Sequence, residues 1–358
     1  SRASGGRLER ILEKLTNNPL KAVLMGAVVT GVIQSSSATT VMVVGFVNSG
    51  IMSLKQAVGI IMGANIGTTV TSWILSLTGI ESDAFWIRML KPSSFSPILA
   101  IVGVGILLFS HKDKLKNAAT ILVGFAILMF GMDSMSAAVS PLAEVPEFTG
   151  MLVKFSNPIL GVVAGAVLTA IIQSSSASVG ILQALCLTGM VPFSAALPII
   201  MGQNIGTCVT AILSSVGAKK NAKTAALMHL IFNIIGTIIF SIIAIAYLSI
   251  VNPAWAQGNI TQTQISMVHT VFNIVTTVLL FPVSDWIIKL AKKIGHVEEE
   301  VQDESVVLLD DRMLETPGIA IQSTVSELVR MGHVVADSLE VARKVMFERK
   351  EEQIAFLK

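Results

Sequence analysis

The chain has 358 residues, of which 53% are hydrophobic and only 13% are charged, and its mean hydropathy is +0.74. A soluble domain carries roughly 25% charged residues, so this composition excludes an ordinary soluble protein and indicates a membrane protein. The net charge of +2 conceals two unlike parts, because residues 1–295 contain 18 Lys or Arg and 9 Asp or Glu, whereas residues 296–358 contain 7 and 14. No basic patch with interleaved aromatic residues predicts nucleic-acid binding, and two cysteines in apolar segments exclude a secreted disulfide scaffold.

The first predicted element is an amphipathic interfacial helix within residues 1–16. Four apolar residues recur there at helical spacing opposite charged ones, namely Leu8, Ile11, Leu12 and Leu15. The alternative is that this segment is the solvated end of a membrane span that begins upstream. The segment is too polar for a signal peptide.

An internal duplication organises residues 17–250. With an offset of 139 residues, roughly 26 of the 60 positions from Asn18 to Leu77 are identical to their counterparts. The best-matched blocks are polar: Gln34-Ser35-Ser36-Ser37 recurs as Gln173-Ser174-Ser175-Ser176, and Asn65-Ile66-Gly67-Thr68 recurs as Asn204-Ile205-Gly206-Thr207. We therefore predict a first repeat at 17–117, a second at 118–250, a final transmembrane helix at 251–295 and an acidic helical tail at 296–358.

Each Gln-Ser-Ser-Ser block is flanked by apolar arms that are too short to cross a bilayer, since a crossing helix needs about 20 residues. The arms 20–33 and 38–47 are therefore predicted to form a re-entrant helical hairpin with the polar block at its tip. Segments 56–78 and 195–217 are long enough to cross, but their paired glycines predict an unwound centre at 63–67 and 202–206. Continuous spans are predicted at 94–110, 118–139, 224–249 and 265–288.

Lysine clusters predict the orientation through the positive-inside rule. They mark three alternate loops as cytoplasmic: Lys112, Lys114 and Lys116; Lys219, Lys220 and Lys223; Lys289, Lys292 and Lys293. The two repeats then have opposite orientations, which is the inverted-repeat plan of secondary transporters. The predicted fold is an all-α polytopic membrane protein in the cell membrane. It has two inverted repeats, each with a re-entrant hairpin and a broken helix, and a short cytoplasmic helical tail.

The polar breaks contain hydroxyl and amide side chains, which can donate hydrogen bonds to an anion while their oxygens coordinate a hard cation. This chemistry predicts a site for an anion bound together with sodium, with helix N-termini adding partial positive charge. The two tips, Gln34 to Ser37 and Gln173 to Ser176, are the predicted anion-binding residues. The predicted sodium-binding or supporting residues are Asn65, Thr68, Thr71, Asn204, Thr207 and Thr210. The competing interpretation is that small polar residues only allow close helix packing.

Two histidines leave a second possibility open. His229 and His269 each begin a His-x-x-Phe-Asn pattern on an apolar span. They are predicted to hydrogen-bond between helices, with gating or proton binding as the alternative. No nucleophile triad, metal cluster or phosphate-cradling Gly-Lys-Ser/Thr loop predicts an enzyme.

The doubled Gln-Ser-Ser-Ser and Asn-Ile-Gly-Thr blocks resemble those of the type II sodium-phosphate cotransporter family, over most of residues 7–290. The resemblance implies sodium-driven import of inorganic phosphate by alternating access, with sodium as the coupling ion and no other cofactor. Cys208 stands where the first repeat has Thr69, so the two sodium-side positions differ. The tail from Leu308 resembles the start of a PhoU-like helical domain, with an acidic solvated helix pair as the alternative.

Three functions remain open at this level. They are a phosphate symporter, a symporter for another oxyanion or a dicarboxylate, and a membrane phosphate sensor that signals through its tail. The expected partners are phosphate, sodium and the lipid bilayer. The sequence leaves the stoichiometry, the electrogenicity and the oligomeric state open, a homodimer included.

Overall fold

The computed structural model describes residues 18–77, 92–295 and 317–348 of the chain. These ranges are helical apart from turns and one isolated β-bridge between Pro192 and Asn259. The predicted helix within residues 1–16 and both ends of the predicted tail lie outside them. The helices, numbered along the chain, are α1 Pro19–Ile33, α2 Ser36–Asn48, α3 Leu54–Ser76, α4 Pro92–Phe109, α5 Asp113–Val139, α6 Pro146–Lys154, α7 Pro158–Ile172, α8 Ser175–Cys186, α9 Phe193–Ser214, α10 Lys220–Val251, α11 Gln262–Leu280, α12 Ser284–Ile294 and α13 Pro317–Glu348.

The predicted helical arms on either side of each polar block are present. They are α1 and α2 in the first repeat and α7 and α8 in the second. Each pair begins at an Asn-Pro sequence, and the Asn18 side chain accepts a 2.9 Å hydrogen bond from the Leu20 amide, as that of Asn157 does from Ile159 at 3.0 Å. Asn is a favourable N-cap, and Pro fits the first helical position because its missing N–H would have no partner there. The same local sequence therefore starts the same helix twice.

The prediction that α3 and α9 unwind at their glycines is wrong. Both helices run without a break through 63–67 and 202–206. The glycines instead allow another helix to approach: a Cβ on Gly63 would lie 1.9 Å from the Val23 carbonyl oxygen on α1, and one on Gly202 would lie 2.0 Å from that of Val162 on α7. Small residues that bring helix backbones together are common in membranes, and this packing requires no loss of helical hydrogen bonds.

Five of the described helices are long and apolar enough to cross a membrane: α3, α5, α9, α10 and α11. The final transmembrane helix predicted at 251–295 corresponds to α11, but the prediction that its span runs without a break over 265–288 is wrong. Helix α11 ends at Leu280 and the separate helix α12 begins at Ser284. Pro282 explains the break, since a helix usually ends at or before the residue that precedes a proline. Helix α12 buries Ile287 and Ala291 in the core and exposes Lys289, so it is an amphipathic helix packed by one face.

The core is built around α3 and α9, which are mostly buried and carry the Asn-Ile-Gly-Thr blocks. Helix α1 packs along α3 and α7 packs along α9, while α10 and α11 contact both central helices. Helices α4 and α5 form a pair, and α5 contacts α8 and packs Met129 and Met132 against Leu75 of α3. The N-terminal ends of α2 and α8, where the predicted tips lie, therefore meet inside a bundle of membrane-crossing helices.

Candidate functional site

Each predicted tip is a sharp break between two helices, and the two breaks have the same backbone conformation. Gln34 ends α1 with φ 61° and ψ 26°, and Gln173 ends α7 with φ 57° and ψ 24°. The amide of each donates a 2.7 Å hydrogen bond to a threonine carbonyl one turn earlier, Thr30 and Thr169 respectively. A non-glycine residue in the left-handed region costs on the order of 1 kcal/mol. Its occurrence at both equivalent positions indicates that the tip geometry is specifically built.

The first serine of each block caps the helix that follows. The Ser35 hydroxyl accepts a hydrogen bond from the Ala38 amide at 3.1 Å, and that of Ser174 accepts one from Ala177 at 3.2 Å. A capped helix still leaves the N–H groups of its first two residues without helical partners. Those residues are Ser36 and Ser37 on α2 and Ser175 and Ser176 on α8.

The two tips meet at the second serine of each block. The hydroxyl oxygens of Ser36 and Ser175 lie 3.4 Å apart, and both residues are buried. Ser37 and Ser176, one residue further on, are half-buried. Two helix N-termini converge here, and their peptide dipoles add partial positive charge without a charged side chain. The contact can therefore present several donors to one small anion.

A second pair of hydrogen bonds braces each tip from behind. The Thr30 hydroxyl donates to the Thr39 hydroxyl at 3.0 Å in the first repeat, and the Thr169 hydroxyl donates to that of Ser178 at 2.7 Å in the second. All four residues are buried. These bonds join the last turn of the first arm to the first turn of the second, which fixes the angle of each break.

The first tip is further held by α3, and the second is not held in the same way by α9. The Thr71 hydroxyl donates a 2.8 Å hydrogen bond to the side-chain oxygen of Gln34, and the side-chain nitrogen of Gln34 donates to the Gly31 carbonyl. Its counterpart Gln173 is exposed, and the Thr210 hydroxyl, equivalent to that of Thr71, is buried with no hydrogen-bond partner.

The remaining predicted sodium-side residues bond mainly within their own helices. The hydroxyls of Thr68 and Thr207 donate to the carbonyls of Ala64 and Gln203 at 3.0 and 2.9 Å, and the Asn204 amide donates to the Ile200 carbonyl at 3.0 Å. A hydroxyl that donates its proton in this way keeps its oxygen lone pairs for a cation.

Asn65 is the exception, because it contacts another helix. Its side-chain oxygen lies 3.4 Å from Nε2 of His229 on α10, while its amide nitrogen is buried without a partner. The predicted helix-to-helix role of His229 is confirmed by this contact. Nδ1 of His229 and Nδ1 of His269 are both buried without hydrogen-bond partners.

A model of the Na+/Pi-cotransporter family matches residues 1–137 and 143–252, which include both tips. The chain belongs to the Na+/Pi-cotransporter family. No solved structure matches it at a significant level. As a member of this family with several helices able to cross a membrane, it is a multi-pass membrane protein.

Curated relatives extend this similarity. Protein YqeW of Bacillus subtilis (strain 168) is 31% identical over 290 residues, which is 79% of this chain and 87% of YqeW. Protein YjbB of Escherichia coli (strain K12), provisionally named an inorganic phosphate export protein, is 26% identical over 348 residues; the match takes in 96% of this chain and 61% of YjbB. Human sodium-dependent phosphate transport protein 2B is 44% identical over 63 residues, or 18% of this chain and 9% of that protein.

Two buried glutamines of this Na+/Pi-cotransporter family member were missed by the sequence analysis. Gln203 donates a 3.0 Å hydrogen bond to the Ser178 carbonyl, next to the second tip, and its side-chain oxygen has no partner. A signal was available, because Gln203 replaces Ala64 inside an otherwise matched block. The arrangement adds an unsatisfied acceptor to the second repeat alone.

The second glutamine, Gln183, lies at the centre of a buried polar knot. Its amide nitrogen donates to the Ser72 carbonyl at 3.1 Å and the Ser266 hydroxyl at 3.0 Å, and the hydroxyls of Ser72 and Ser266 lie 2.8 Å apart. Gln262 returns a 3.2 Å hydrogen bond to the Gln183 carbonyl. The knot ties α8 to α3 and α11, whereas the equivalent positions of the other repeat, Val44 and Ala211, are apolar and buried.

The chemistry of the whole site is neutral. The buried polar residues in the described ranges are Ser, Thr, Asn, Gln and His, without Lys, Arg, Asp or Glu. Those ranges also contain no group of three His, Cys, Asp or Glu side chains that could hold a transition metal. Oxygen ligands of this kind suit a hard monovalent or divalent cation, and neutral donors suit an anion that enters together with one.

Proposed function

We propose that this protein is a sodium-coupled symporter that imports inorganic phosphate by alternating access. The observation that carries the proposal is the Ser36–Ser175 contact, at which two helix N-termini and two hydroxyls converge in a buried, uncharged site. Membership of the Na+/Pi-cotransporter family supports phosphate as the anion and sodium as the coupling ion.

In this proposal phosphate binds at the converging tips. The hydroxyls of Ser36 and Ser175 donate to it, together with the free first-turn N–H groups of both helices. Because the hydroxyls lie only 3.4 Å apart, phosphate sits beside the pair and both donors reach neighbouring oxygens of one anion. Gln34, Ser35, Ser37, Gln173, Ser174 and Ser176 complete the proposed phosphate site, and the caps and left-handed breaks hold its shape.

Sodium binds, in this proposal, between each tip and its neighbouring central helix. The buried Thr210 hydroxyl and the Gln203 side-chain oxygen lack hydrogen-bond partners, which supports a cation near them. Thr207 and Asn204 lie on the same stretch of α9, and Asn65, Thr68 and Thr71 are the proposed counterparts on α3. Because these oxygens carry no net charge, they coordinate sodium without neutralising it. The positive charge of sodium therefore remains to attract phosphate.

The predicted inversion of the two repeats would support alternating access, since each repeat would close one side of a central site. The re-entrant hairpins, the opposite orientation of the repeats and the cytoplasmic tail remain predictions, as does a homodimer. The name of YjbB refers to export, and a symporter runs in the direction that its combined gradients favour. Import is therefore proposed for an inward sodium gradient.

The test is uptake of radiolabelled phosphate by proteoliposomes with sodium chloride outside and potassium chloride inside. Import predicts accumulation that collapses when the gradient is dissipated; release of preloaded phosphate under the same inward gradient would indicate an exporter. Inhibition of uptake by sulfate or succinate as strong as that by unlabelled phosphate would favour another oxyanion or a dicarboxylate as substrate.

A phosphate sensor is the second candidate, and one observation favours it. The tail helix α13 exposes a row of apolar side chains that could dock a partner, among them Ile321, Val325, Leu328 and Val335. A sensor would bind phosphate in the same preparation without net flux across the vesicle membrane.

A further inference from the structure

An apolar groove lies between α10 and α11, away from the tips. It has a volume of about 640 Å³, and its walls include Ile243 and Ala244 on α10 and Met267 and Val271 on α11. The two helices cross tightly at one point, where a Cβ on Gly236 would lie 2.2 Å from the Thr276 side chain. From this crossing they diverge toward the loop at 252–261, and the groove fills the resulting wedge.

An aromatic pair lies near each end of the groove. Near the crossing, the rings of Phe240 and Phe272 meet edge to face with centroids 5.2 Å apart. At the loop end, Trp255 meets Phe193 in the same way, also at 5.2 Å. The Gln264 side-chain amide donates a 3.2 Å hydrogen bond to the Trp255 carbonyl, which ties the loop end of the groove to the start of α11. The groove is therefore a preformed feature held at both ends.

The open side of the groove faces outward. Met267 is 58% exposed, Trp255 is 52% exposed and Tyr247 is 46% exposed, although all three line the cavity. On helices that cross a membrane, such an opening faces lipid. From Gln264 to Val275 the groove follows 12 residues of α11, whose 11 steps of 1.5 Å make about 16 Å. That is half of the ~30 Å hydrocarbon core, which is the depth of one leaflet.

The polar groups of the groove are confined to its loop end. Tyr247 and Trp255 offer a hydroxyl and an indole N–H there, as amphipathic aromatic side chains do at a membrane surface. The side-chain amide of Gln264, which donates one N–H to the Trp255 carbonyl, has a second N–H beside them. Residues 240–280, which form both walls and the loop, contain no Lys, Arg, Asp or Glu. The loop end of the groove can therefore hydrogen-bond a lipid headgroup, but it has no positively charged side chain to attract an anionic headgroup.

We infer that the groove is a binding site for one acyl chain of a zwitterionic phospholipid. The chain lies along α11 between the two aromatic pairs, and the headgroup rests at Tyr247, Trp255 and Gln264. The lipid fills the wedge between α10 and α11 and stabilises their divergence. This site is independent of phosphate and sodium binding.

Trp255 provides the measurement. Phosphatidylethanolamine with brominated acyl chains is titrated into the full chain in detergent, and the tryptophan fluorescence is compared with that of Trp255→Phe. We expect a quenching component that saturates at one lipid per protein and is absent in Trp255→Phe. Brominated phosphatidylglycerol should reach half-saturation only at a concentration at least fivefold higher.

Two alanines on α10 supply a matched pair of variants. Ala244 lines the groove, whereas Ala246 is exposed and lies outside it. Ala244→Phe should weaken the saturable component at least tenfold, and Ala246→Phe should leave it unchanged. Val271→Phe fills the groove from the facing wall and should weaken the saturable component as well, so the result does not depend on one variant. Thermal unfolding of each variant checks that the variant is folded.

Three results would overturn the inference. Quenching that rises without saturation, and equally in both alanine variants, would mean contact with bulk lipid only. If phosphatidylglycerol reached half-saturation at the same concentration as phosphatidylethanolamine, or at a lower one, the site would not be selective for zwitterionic lipid. A change from dimer to monomer in Ala244→Phe alone would make a second copy of the chain the occupant.

Discussion

The hydroxyl oxygens of Ser36 and Ser175 lie 3.4 Å apart, although the two residues are separated by 139 positions in the chain. That separation equals the offset of the internal duplication, so the contact joins a residue to its own counterpart. A pair of this kind lies where the two repeats face each other. It is also the place where one ligand would contact both repeats in the same way.

Replacing Ser36 or Ser175 with Ala should weaken phosphate binding in both cases. Loss of one donor to a buried anion costs roughly 1 to 3 kcal/mol, which is about 5- to 150-fold in affinity. Isothermal calorimetry in sodium chloride measures the change, and the exposed Ser249→Ala serves as control. Unchanged affinity in both single variants would remove the tips from the site.

The double variant tests whether the two serines share one anion. Changes at independent sites usually add within about 0.5 kcal/mol, whereas residues in contact show coupling of 0.5 to 3 kcal/mol. We expect measurable coupling between Ser36→Ala and Ser175→Ala in phosphate binding. Strict additivity would indicate two separate phosphate sites.

Equivalent threonines should respond differently to the same change. Thr71 is bonded to the first tip, whereas the buried Thr210 hydroxyl has no hydrogen-bond partner. We expect Thr210→Val to lower sodium affinity severalfold with little loss of thermal stability, because no protein hydrogen bond is lost. Thr71→Val should lower the melting temperature, since the Gln34 oxygen loses its donor. Similar sodium affinities in Thr210→Val and the unaltered protein would contradict a cation at that hydroxyl.

Phosphate affinity should rise with sodium concentration. Burying an uncompensated anion costs several kcal/mol, and the described buried residues supply no Lys or Arg to offset it. By linkage, phosphate should raise sodium affinity by the same factor. Calorimetry in sodium chloride and in potassium chloride at equal ionic strength measures the effect. Equal affinities in the two salts would exclude sodium coupling and make His229 and His269 the next residues to change.

Gly67→Ala and Gly206→Ala should destabilise the protein. A Cβ on Gly67 would lie 2.5 Å from the Ala27 carbonyl oxygen, and one on Gly206 would lie 2.4 Å from that of Ala166. Overpacking of this kind typically costs 1 to 3 kcal/mol. Gly124→Ala on α5 is the control, because its added methyl meets no atom within 4 Å. Equal melting temperatures in all three variants would mean that the helices can separate at no cost.

The ends of α1 and α7 could be predicted from sequence because local residues define them: an Asn-Pro start, and a polar block at which the helix stops. The structural role of the glycines in α3 and α9 could not be predicted from sequence. A glycine in an apolar helix fits both an unwound backbone and close packing, and only the position of Val23 opposite Gly63 decides between them. The break after Leu280 was visible in Pro282, and the span was nevertheless predicted as continuous.

The contacts within the site were harder to predict. The duplication is sufficient to predict that the two tips face each other, since symmetry brings equivalent residues together, but it does not identify Ser36 and Ser175 as the residues in contact. The polar knot at Gln183 did not follow from the duplication, because its partners Ser72 and Ser266 lie 111 and 83 residues away. The positions equivalent to Gln183 and Ser72 in the other repeat are the apolar Val44 and Ala211, so neither periodicity nor symmetry could identify the knot.

The glycine contacts on α3 and α9 also restrict how the molecule can move. Where two helices touch through their backbones, as at Gly63 with Val23 and Gly202 with Val162, neither can slide or rotate without a collision. Helices α1 and α3 therefore travel as one piece, and so do α7 and α9. A tip cannot swing independently of its central helix. In the proposed transport cycle, the motion that carries phosphate across is therefore expected between these two pieces, and cross-links within a piece should leave transport intact.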